Sequence, residues 1–306
     1  MLSPLKHVGY TVAGLMCGCA VVAGQLLYGV LTSWALSAPA KKTEVIVTKN
    51  IAYGNDSEKQ KLDLYLPEMA TPEAPAPVLI FFHGGGWSAG SKQNYQAFAK
   101  MIAARGYAVV VPNYRLYPKV TFPAFVEDAA AATRWVQDHL AEATGGRSDS
   151  TRLVLSGHSA GAHLATLVAF DRRYLDDLGA NSGPTAISGV IGISGPYAML
   201  PSKVPPITEI FGDHADDLKT MPLTVATGGK GQPPALLLHG RQDWLVPLDQ
   251  TRQLETAIRD SGGEVEAVAY DEFRHIDIMP HFRAPRENDP VTLKILEFLE
   301  ARTRPR

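Results

Sequence analysis

A serine between two glycines, in the stretch GHSAG at residues 157–161, is the first candidate for chemistry in this sequence. It follows the apolar run LVL at 153–155 and precedes a helix-like apolar pattern. A tight turn between a strand and a helix projects a side chain above the sheet, and the flanking glycines leave room for such a turn. The G-x-S-x-G spacing therefore predicts that Ser159 is a nucleophile on a nucleophile elbow.

A serine hydroxyl needs a base and an orienting carboxylate before it can attack at neutral pH. In elbow-type sites the chain order is serine, then Asp or Glu, then His. Asp243 stands in the loop after the strand-like run PALLLHG, and His275 stands in the loop after the last strand-like run. We therefore predict that Asp243 is the acid and His275 the base. Asp249 and His281 are the competing assignments, and His239, just before the acid loop, is interpreted as structural.

A glycine-rich loop upstream of the elbow can supply the remaining part of such a site. His83, Gly84, Gly85 and Gly86 follow a buried, strand-like run. Glycines let backbone N–H groups turn toward a ligand where a Cβ would clash, and such groups stabilise an oxyanion. We predict that Gly85, Gly86 and Ala160, the residue after the nucleophile, are the oxyanion donors. His83 is expected to organise the loop and not to act as the base.

Strand-like and helix-like segments alternate along the chain from residue 43 onward. Continuous apolar runs predict strands that are buried on both faces, and helix-like stretches separate them. The two earliest strands, TEVIVTKNIAYG and KLDLYLP, are expected to pair antiparallel. The alternation predicts an α/β fold with a mostly parallel sheet and helices on both faces, in which sites form at the carboxyl ends of the strands.

The stretch from 201 to 233 is rich in Pro and Gly and lies between two predicted strands. Its segment ITEIFGDHADDL is expected to form one short helix, and the whole stretch is too small for a second domain. Trp87, after the glycine loop, and Phe211, in this insertion, are candidates for the wall of the substrate site. Ordinary packing around the loop is the alternative interpretation of both residues.

The N-terminal segment has the composition of a targeting or anchoring element. No charged residue occurs between Val8 and Ala40, and both cysteines of the chain lie within this run. It is long enough to span a bilayer, and the small residues at its end fit a signal-peptidase site. We predict a signal peptide or membrane anchor at 1–40, with lipidation of Cys19 as a third alternative, and a catalytic domain at 41–306. That domain would be exported, or held at the membrane only by this segment.

Composition excludes several other classes of protein. The 306-residue chain has a formal net charge of −2, and without a basic stripe it gives no sign of a nucleic-acid partner. The histidines are scattered without metal-ligand spacing, so no metal site is predicted. No G-x-G-x-x-G opens a helix after a strand, and therefore no nucleotide cofactor is expected.

Four blocks together resemble the α/β-hydrolase carboxylesterases: HGGGW (83–87), VPNYRLYP (111–118), GHSAGAHLA (157–165) and HGRQDWLVP (239–247). The most similar groups are the acetyl-xylan/feruloyl esterase-like (BD-FAE-like) branch and the hormone-sensitive-lipase-like esterases. The resemblance covers about residues 45–303. It implies the α/β-hydrolase fold, no cofactor, and a small-molecule or carbohydrate ester as the substrate.

The same resemblance implies hydrolysis of short-chain or aromatic carboxylic esters through a Ser-His-Asp triad and an acyl-enzyme intermediate. An arylformamidase-like amide hydrolase or a peptidase is the alternative on the same triad, and a non-catalytic binding module is a more distant one. The larger hormone-sensitive-lipase-like enzymes carry an N-terminal helical cap, whereas the residues before Thr43 resemble an export segment. With the short insertion at 201–233, this implies a minimal cap and an open site.

Overall fold

The computed structural model describes residues 44–56, 58–176, 187–205, 207–226, 231–277 and 289–305. The predicted signal or anchor segment, with its two cysteines, lies outside these residues, and so does His281, the competing base. Within the described ranges, no helix is both long enough and apolar enough to cross a bilayer.

The described residues contain one sheet of eight strands, which pair in the order β1-β2-β4-β3-β5-β6-β7-β8. The strands are β1 (Val45–Ala52), β2 (Lys61–Pro67), β3 (Ala76–Phe82), β4 (Ala108–Pro112), β5 (Ser148–His158), β6 (Ile187–Ile193), β7 (Ala235–Gly240) and β8 (Val265–Tyr270). Strand β2 is antiparallel to both β1 and β4, and all the other neighbouring strands are parallel. The prediction of a mostly parallel sheet that begins with an antiparallel pair is confirmed.

Helices follow the strands in the order that the apolar patterns predict. The α-helices of the described residues are α1 (Gln96–Ala103), α2 (Ala124–Ala143), α3 (Ala160–Phe170), α4 (Arg173–Asp176), α5 (Ile207–Phe211), α6 (Pro222–Val225), α7 (Asp249–Asp260) and α8 (Pro290–Thr303). Short 3-10 turns supplement them, and the one that immediately precedes α1 spans Lys92–Tyr95. This alternation of strand and helix fixes the loops that carry the candidate site residues at one end of the sheet.

Strand β3 shows why the sheet needs helices on both faces. Val78 and Ile80 belong to one apolar cluster, which includes residues of α2, α3 and α7. Leu79 and Phe81 belong to a second cluster, with residues of α1 and α8. Successive side chains of a strand alternate between the two faces, so a continuous apolar run requires cover on both of them. The predicted layers of helix, sheet and helix are therefore confirmed.

The insertion between β6 and β7 consists of short helical pieces, as expected for a minimal cap. The single helix predicted over ITEIFGDHADDL is wrong in its extent, because α5 ends at Phe211 and a separate 3-10 turn follows over Gly212–His214. Gly212 has a φ of +53°, in the left-handed region where α-helices commonly end and where glycine carries no Cβ penalty.

Candidate active site

Ser159 connects β5 to α3 through a strained turn. Its φ and ψ of +55° and −121° lie in a region that L-residues rarely adopt. A Cβ atom at Gly157 would lie 2.2 Å from the carbonyl oxygen of Gly161. A Cβ atom at Gly161 would lie 2.1 Å from the carbonyl oxygen of Phe82. The elbow predicted from the sequence is present, and steric exclusion explains why glycine occupies both flanking positions.

The ends of β5, β7 and β8 bring Ser159, Asp243 and His275 together. The imidazole Nε2 of His275 is 2.9 Å from the Oγ of Ser159, and its Nδ1 is 2.8 Å from the Oδ2 of Asp243. Both Asp243 and His275 are buried, at 6% and 5% exposed. The structure thus assembles the three residues singled out by chain order, in the geometry that proton transfer from a serine requires.

The Asp243 carboxylate accepts hydrogen bonds on both oxygens. Oδ1 accepts from the backbone N–H groups of Leu245 and Val246, at 3.1 and 2.8 Å. Oδ2 faces the rings of His275 and His239, at 2.8 and 3.3 Å. Burial raises the pKa of Asp243, but the hydrogen bonds from His239 and His275 outweigh burial and hold the pKa well below its ordinary value. An ionised carboxylate keeps the proton of His275 on Nδ1 and leaves Nε2 free to accept another.

His239 supports Asp243 directly, beyond the structural role inferred from the sequence. Its Nε2 is 2.8 Å from the carbonyl oxygen of Val246 and its Nδ1 is 2.7 Å from the Oγ1 of Thr251. The carbonyl and the Asp243 carboxylate are both acceptors, so Nε2 carries the proton and Nδ1 accepts from the threonine hydroxyl. The signal in the sequence was a histidine at a strand end, four positions before a predicted acid.

The glycine loop after β3 packs against the elbow. A Cβ atom at Gly84 would lie 3.3 Å from the Cβ of Ser159. The N–H of Gly84 donates to the Oη of Tyr95 at 3.1 Å and is therefore engaged. In the described part of the chain, no protein acceptor takes the N–H of Gly85 or Gly86. This difference favours the predicted choice of Gly85 and Gly86 over Gly84.

Ala160, the third predicted donor, is the first residue of α3. The first N–H groups of a helix have no acceptor within the helix and lie at the positive end of its dipole. The Ala160 N–H therefore suits a developing negative charge next to Ser159. The oxyanion role of these three backbone groups stays a prediction.

His83 organises the glycine loop, as predicted. Its Nδ1 donates to the carbonyl oxygen of Gly84 at 2.9 Å, and its ring stacks on that of Tyr114 with the centroids 4.2 Å apart. Burial lowers the pKa of His83 to about 4.

Asp249, the competing acid, is the first residue of α7 and bonds to Gln253 within that helix. Neither His83 nor Asp249 joins the line of hydrogen bonds that Ser159 forms with His275 and Asp243. Across the described ranges, no group of three or more potential ligands is arranged to hold a metal ion.

Trp87 and Phe211 pack against each other beside the glycine loop. Their rings meet edge-on with the centroids 5.1 Å apart, and Phe122 stacks on Phe211 at the same separation. Trp87 and Phe211 are only 2% and 1% exposed. Ordinary packing accounts for these positions, and a contact with substrate stays a prediction for both side chains.

The fold and the site geometry define an α/β hydrolase, and comparison with known proteins gives its family. Residues 62–258, more than half of the chain, match the family model described as BD-FAE. The chain belongs to this family, as its sequence blocks predict.

Named relatives of the chain are esterases. The isoprenylcysteine alpha-carbonyl methylesterase ICME of Arabidopsis thaliana is 27% identical over 249 residues, which cover 76% of this chain and 57% of that protein. Esterase LipQ of Mycobacterium tuberculosis is 30% identical over 237 residues, which cover 72% of this chain and 55% of LipQ. The chain thus spans about half the length of the curated relatives it matches. Among solved structures, esterase 2 of Thermogutta terrifontis matches with a TM-score of 0.66 and 26% identity, over 88% of this chain and 99% of that one.

Proposed function

We propose that this protein is a serine carboxylic ester hydrolase in which Ser159 is the nucleophile, His275 the base and Asp243 the acid. The observation that carries the proposal is the unbroken line of hydrogen bonds through these three side chains, 2.9 and 2.8 Å long. The similarity to proteins named as esterases supports an ester as the bond that is attacked.

The reaction would proceed by two acyl transfers. The Oγ of Ser159 attacks the ester carbonyl carbon while the Nε2 of His275 takes its proton. The backbone N–H groups of Gly85, Gly86 and Ala160 stabilise the oxyanion, at about 3 kcal/mol for a single donor in comparable sites. The imidazolium then returns the proton to the leaving alkoxide as the C–O bond breaks. Water, deprotonated by the same imidazole, attacks the acyl-serine and releases the carboxylic acid.

The substrate is proposed to be a small or carbohydrate ester with a short-chain or aromatic acyl group. The short helical pieces between β6 and β7 support an open site that carries little cap. The aromatic rings of Trp87 and Phe211, next to the glycine loop, are proposed to shape the acyl side of the site.

The N-terminal segment is proposed to export the catalytic domain or to anchor it to a membrane. Its uncharged run between Val8 and Ala40 supports this role. Cell fractionation followed by N-terminal sequencing tests it. A mature chain that begins near Lys41 in the soluble exported fraction indicates cleavage, and an intact chain in the membrane fraction indicates an anchor. An intact chain in the cytosol would contradict both.

The test of the catalytic proposal is hydrolysis of p-nitrophenyl acetate, butyrate, octanoate and benzoate by the full-length protein and by Ser159→Ala. We expect Ser159→Ala to lower kcat by roughly 10⁴- to 10⁶-fold with an unchanged melting temperature. Ser156→Ala is the matched control, because Ser156 is a buried serine on β5, just before the elbow, and its hydroxyl has no partner in the described residues.

Either of two results would contradict the proposal. The first is Ser159→Ala turning over at the wild-type rate. The second is a folded wild-type protein that hydrolyses none of the esters. In the second case the amide alternative would be tested next, with N-formyl arylamines as the substrates.

A further inference from the structure

A second line of hydrogen bonds links the glycine loop to the base loop without using the side chains of the triad. The N–H of Gly84 lies 3.1 Å from the Oη of Tyr95, and this oxygen lies 3.4 Å from the Nδ1 of His158. The Nε2 of His158 lies 3.3 Å from the backbone carbonyl oxygen of His275. His158 is the residue immediately before the nucleophile, so the line also passes through the elbow.

The direction of every bond in this line follows from its last member. The His275 carbonyl can only accept, so the Nε2 of His158 carries a proton. Burial, reinforced by the adjacent His275 ring, lowers the pKa of His158 to about 3, and the imidazole is therefore neutral. A neutral ring with a proton on Nε2 has a bare Nδ1, which accepts from the hydroxyl of Tyr95. The Tyr95 oxygen in turn accepts from the N–H of Gly84. Each of the three bonds in the line therefore has one donor and one acceptor.

Tyr95 is a rigid support for the glycine loop. It ends the 3-10 turn before α1, is only 2% exposed, and packs on the ring of Phe81 with the centroids 4.7 Å apart. Its hydroxyl therefore has a fixed position beneath Gly84. Holding the N–H of Gly84 fixes the peptide between His83 and Gly84, one peptide before the N–H of Gly85, and so limits the directions that the next backbone N–H groups can take.

His158 connects this support to the base. A Cβ atom at Gly84 would lie 2.9 Å from both the Nδ1 and the carbonyl oxygen of His158, so the loop and the elbow are in close contact. At the other side of the ring, the tie to the His275 carbonyl fixes the backbone that carries the catalytic imidazole. The bond from Gly84 to Tyr95 has an ordinary length, whereas the two bonds of His158, at 3.4 and 3.3 Å, are long and are expected to add little to the stability of the fold.

We infer that Tyr95 and His158 are positioning residues, which hold the backbone N–H groups that serve as oxyanion donors at a fixed position relative to the imidazole of His275. The inference rests on the proposed esterase function. It gives two residues a role in stabilising the transition state. One is His158, the first variable residue of the G-x-S-x-G stretch, and the other is Tyr95, which belongs to no catalytic motif. Substrate binding in the ground state does not depend on this relative position, because the oxyanion forms only during attack.

The first test compares Tyr95→Phe with Tyr65→Phe in the full-length protein. Tyr65 is a fully buried tyrosine on β2 whose hydroxyl has no hydrogen-bond partner in the described residues, so its replacement removes an equivalent atom without breaking the line. For p-nitrophenyl acetate we expect Tyr95→Phe to lower kcat about tenfold, less than the loss of a whole oxyanion donor, with KM within about twofold. Tyr65→Phe is expected to leave both parameters at wild-type values.

The second test uses His158→Gln, which keeps an amide donor for the His275 carbonyl but lacks the ring nitrogen that accepts from Tyr95. We expect its kcat to fall about as far as that of Tyr95→Phe, and the double variant to fall no further, because both changes break one line. His158→Gln also supplies the test if Tyr95→Phe fails to fold, which its melting temperature would show.

The outcomes separate this inference from the proposed function. A wild-type protein active on esters together with a dead Ser159→Ala supports the function. Under that condition, an unchanged kcat in Tyr95→Phe or fully multiplicative losses in the double variant would overturn the inference alone. A loss confined to melting temperature or KM would also overturn it, since it would indicate packing. A wild-type protein without ester activity would overturn both.

Discussion

The two ends of the central sheet hold their polar groups in different ways. At the carboxyl end, Ser159, His275 and Asp243 form a buried line of donors and acceptors. At the amino end, a cleft of about 1260 Å³ lies between the strand starts and α8, with Arg152 and Arg302 among its lining residues. The cleft at the amino end is large and charged, yet the groups that can exchange a proton meet at the opposite end.

The pairing of charges explains the difference. Arg152 bonds to Asp149 at 2.6 Å, and Arg302 pairs with Glu264 across the start of β8. Each guanidinium is paired with a carboxylate, and neither pair includes a hydroxyl or an imidazole that could relay a proton. The carboxyl end instead couples a carboxylate to an imidazole and a hydroxyl, whose protons can move. The proposed reactive end of the sheet is therefore the end where titratable groups are hydrogen-bonded to one another, although the amino end has a cleft of about 1260 Å³.

Among the variants that compare the two ends, the largest difference is expected when one carboxylate at each end is replaced by an amide. Asp243→Asn should lower kcat for p-nitrophenyl acetate by roughly 10⁴-fold, because an amide stabilises the wrong tautomer of His275. Asp149→Asn, at the amino end, should leave kcat within about twofold. Steady-state kinetics with melting temperatures for both variants measure this. Equal losses in the two variants would remove the distinction between the ends.

The buried histidines of the carboxyl end should make folding sensitive to acid. Burial is the main cause that lowers the pKa values of His83, His158 and His163 to about 4, 3 and 4. In the unfolded chain each takes up a proton near pH 6.5, so the unfolded state binds more protons over the interval between. The free energy of unfolding should therefore fall as the pH drops from 6.5 to 4, by up to about 1.4 kcal/mol per pH unit for each histidine.

His163→Gln separates one of these contributions. His163 donates through Nε2 to the carbonyl oxygen of Thr220 at 2.7 Å, and a glutamine amide can replace that donor without titrating. Urea unfolding at pH 7, 6 and 5 should give a shallower pH dependence for the variant than for the wild type. Identical slopes would show that His163 does not contribute.

The smallest effect is expected for an ion pair of the amino end. Glu264 is 62% exposed and Arg302 26% exposed at the side chain, and pairs of this kind contribute at most about 1 kcal/mol. Glu264→Gln should change the free energy of unfolding by less than that, with kcat and KM unchanged. Chemical denaturation and the acetate assay measure the two quantities. A tenfold fall in kcat would reveal coupling between the two ends.

The parts of the molecule that local patterns determine could be predicted from the sequence. Continuous apolar runs located the strands, since a strand buried on both faces needs apolar side chains at every position. The elbow at Ser159 was predictable because its neighbouring glycines answer a steric demand within five residues. Asp243 and His275 followed from their places after strands, given the order that this architecture imposes.

Contacts between distant segments were not predictable. Tyr95 and His158 are 63 positions apart, and the segments around them carry no pattern that indicates their meeting. The burial of Trp87 and Phe211 likewise depends on how the insertion folds back onto the glycine loop. The break in the predicted insertion helix falls at Gly212, and glycine is a residue that commonly ends helices, so the sequence did contain a signal for this break.

The chain order of Ser159, Asp243 and His275 also determines when the proposed site can form. Ser159 and His275 are 2.9 Å apart in space but separated by 116 positions, and Asp243 comes 32 positions before the histidine. During synthesis the nucleophile leaves the ribosome long before its base. An unfinished chain, or one cut before β8, therefore carries a serine with nothing to take its proton. The proposed hydrolysis requires His275, which follows β8, and is therefore expected to start only once this strand has been made and has paired with β7.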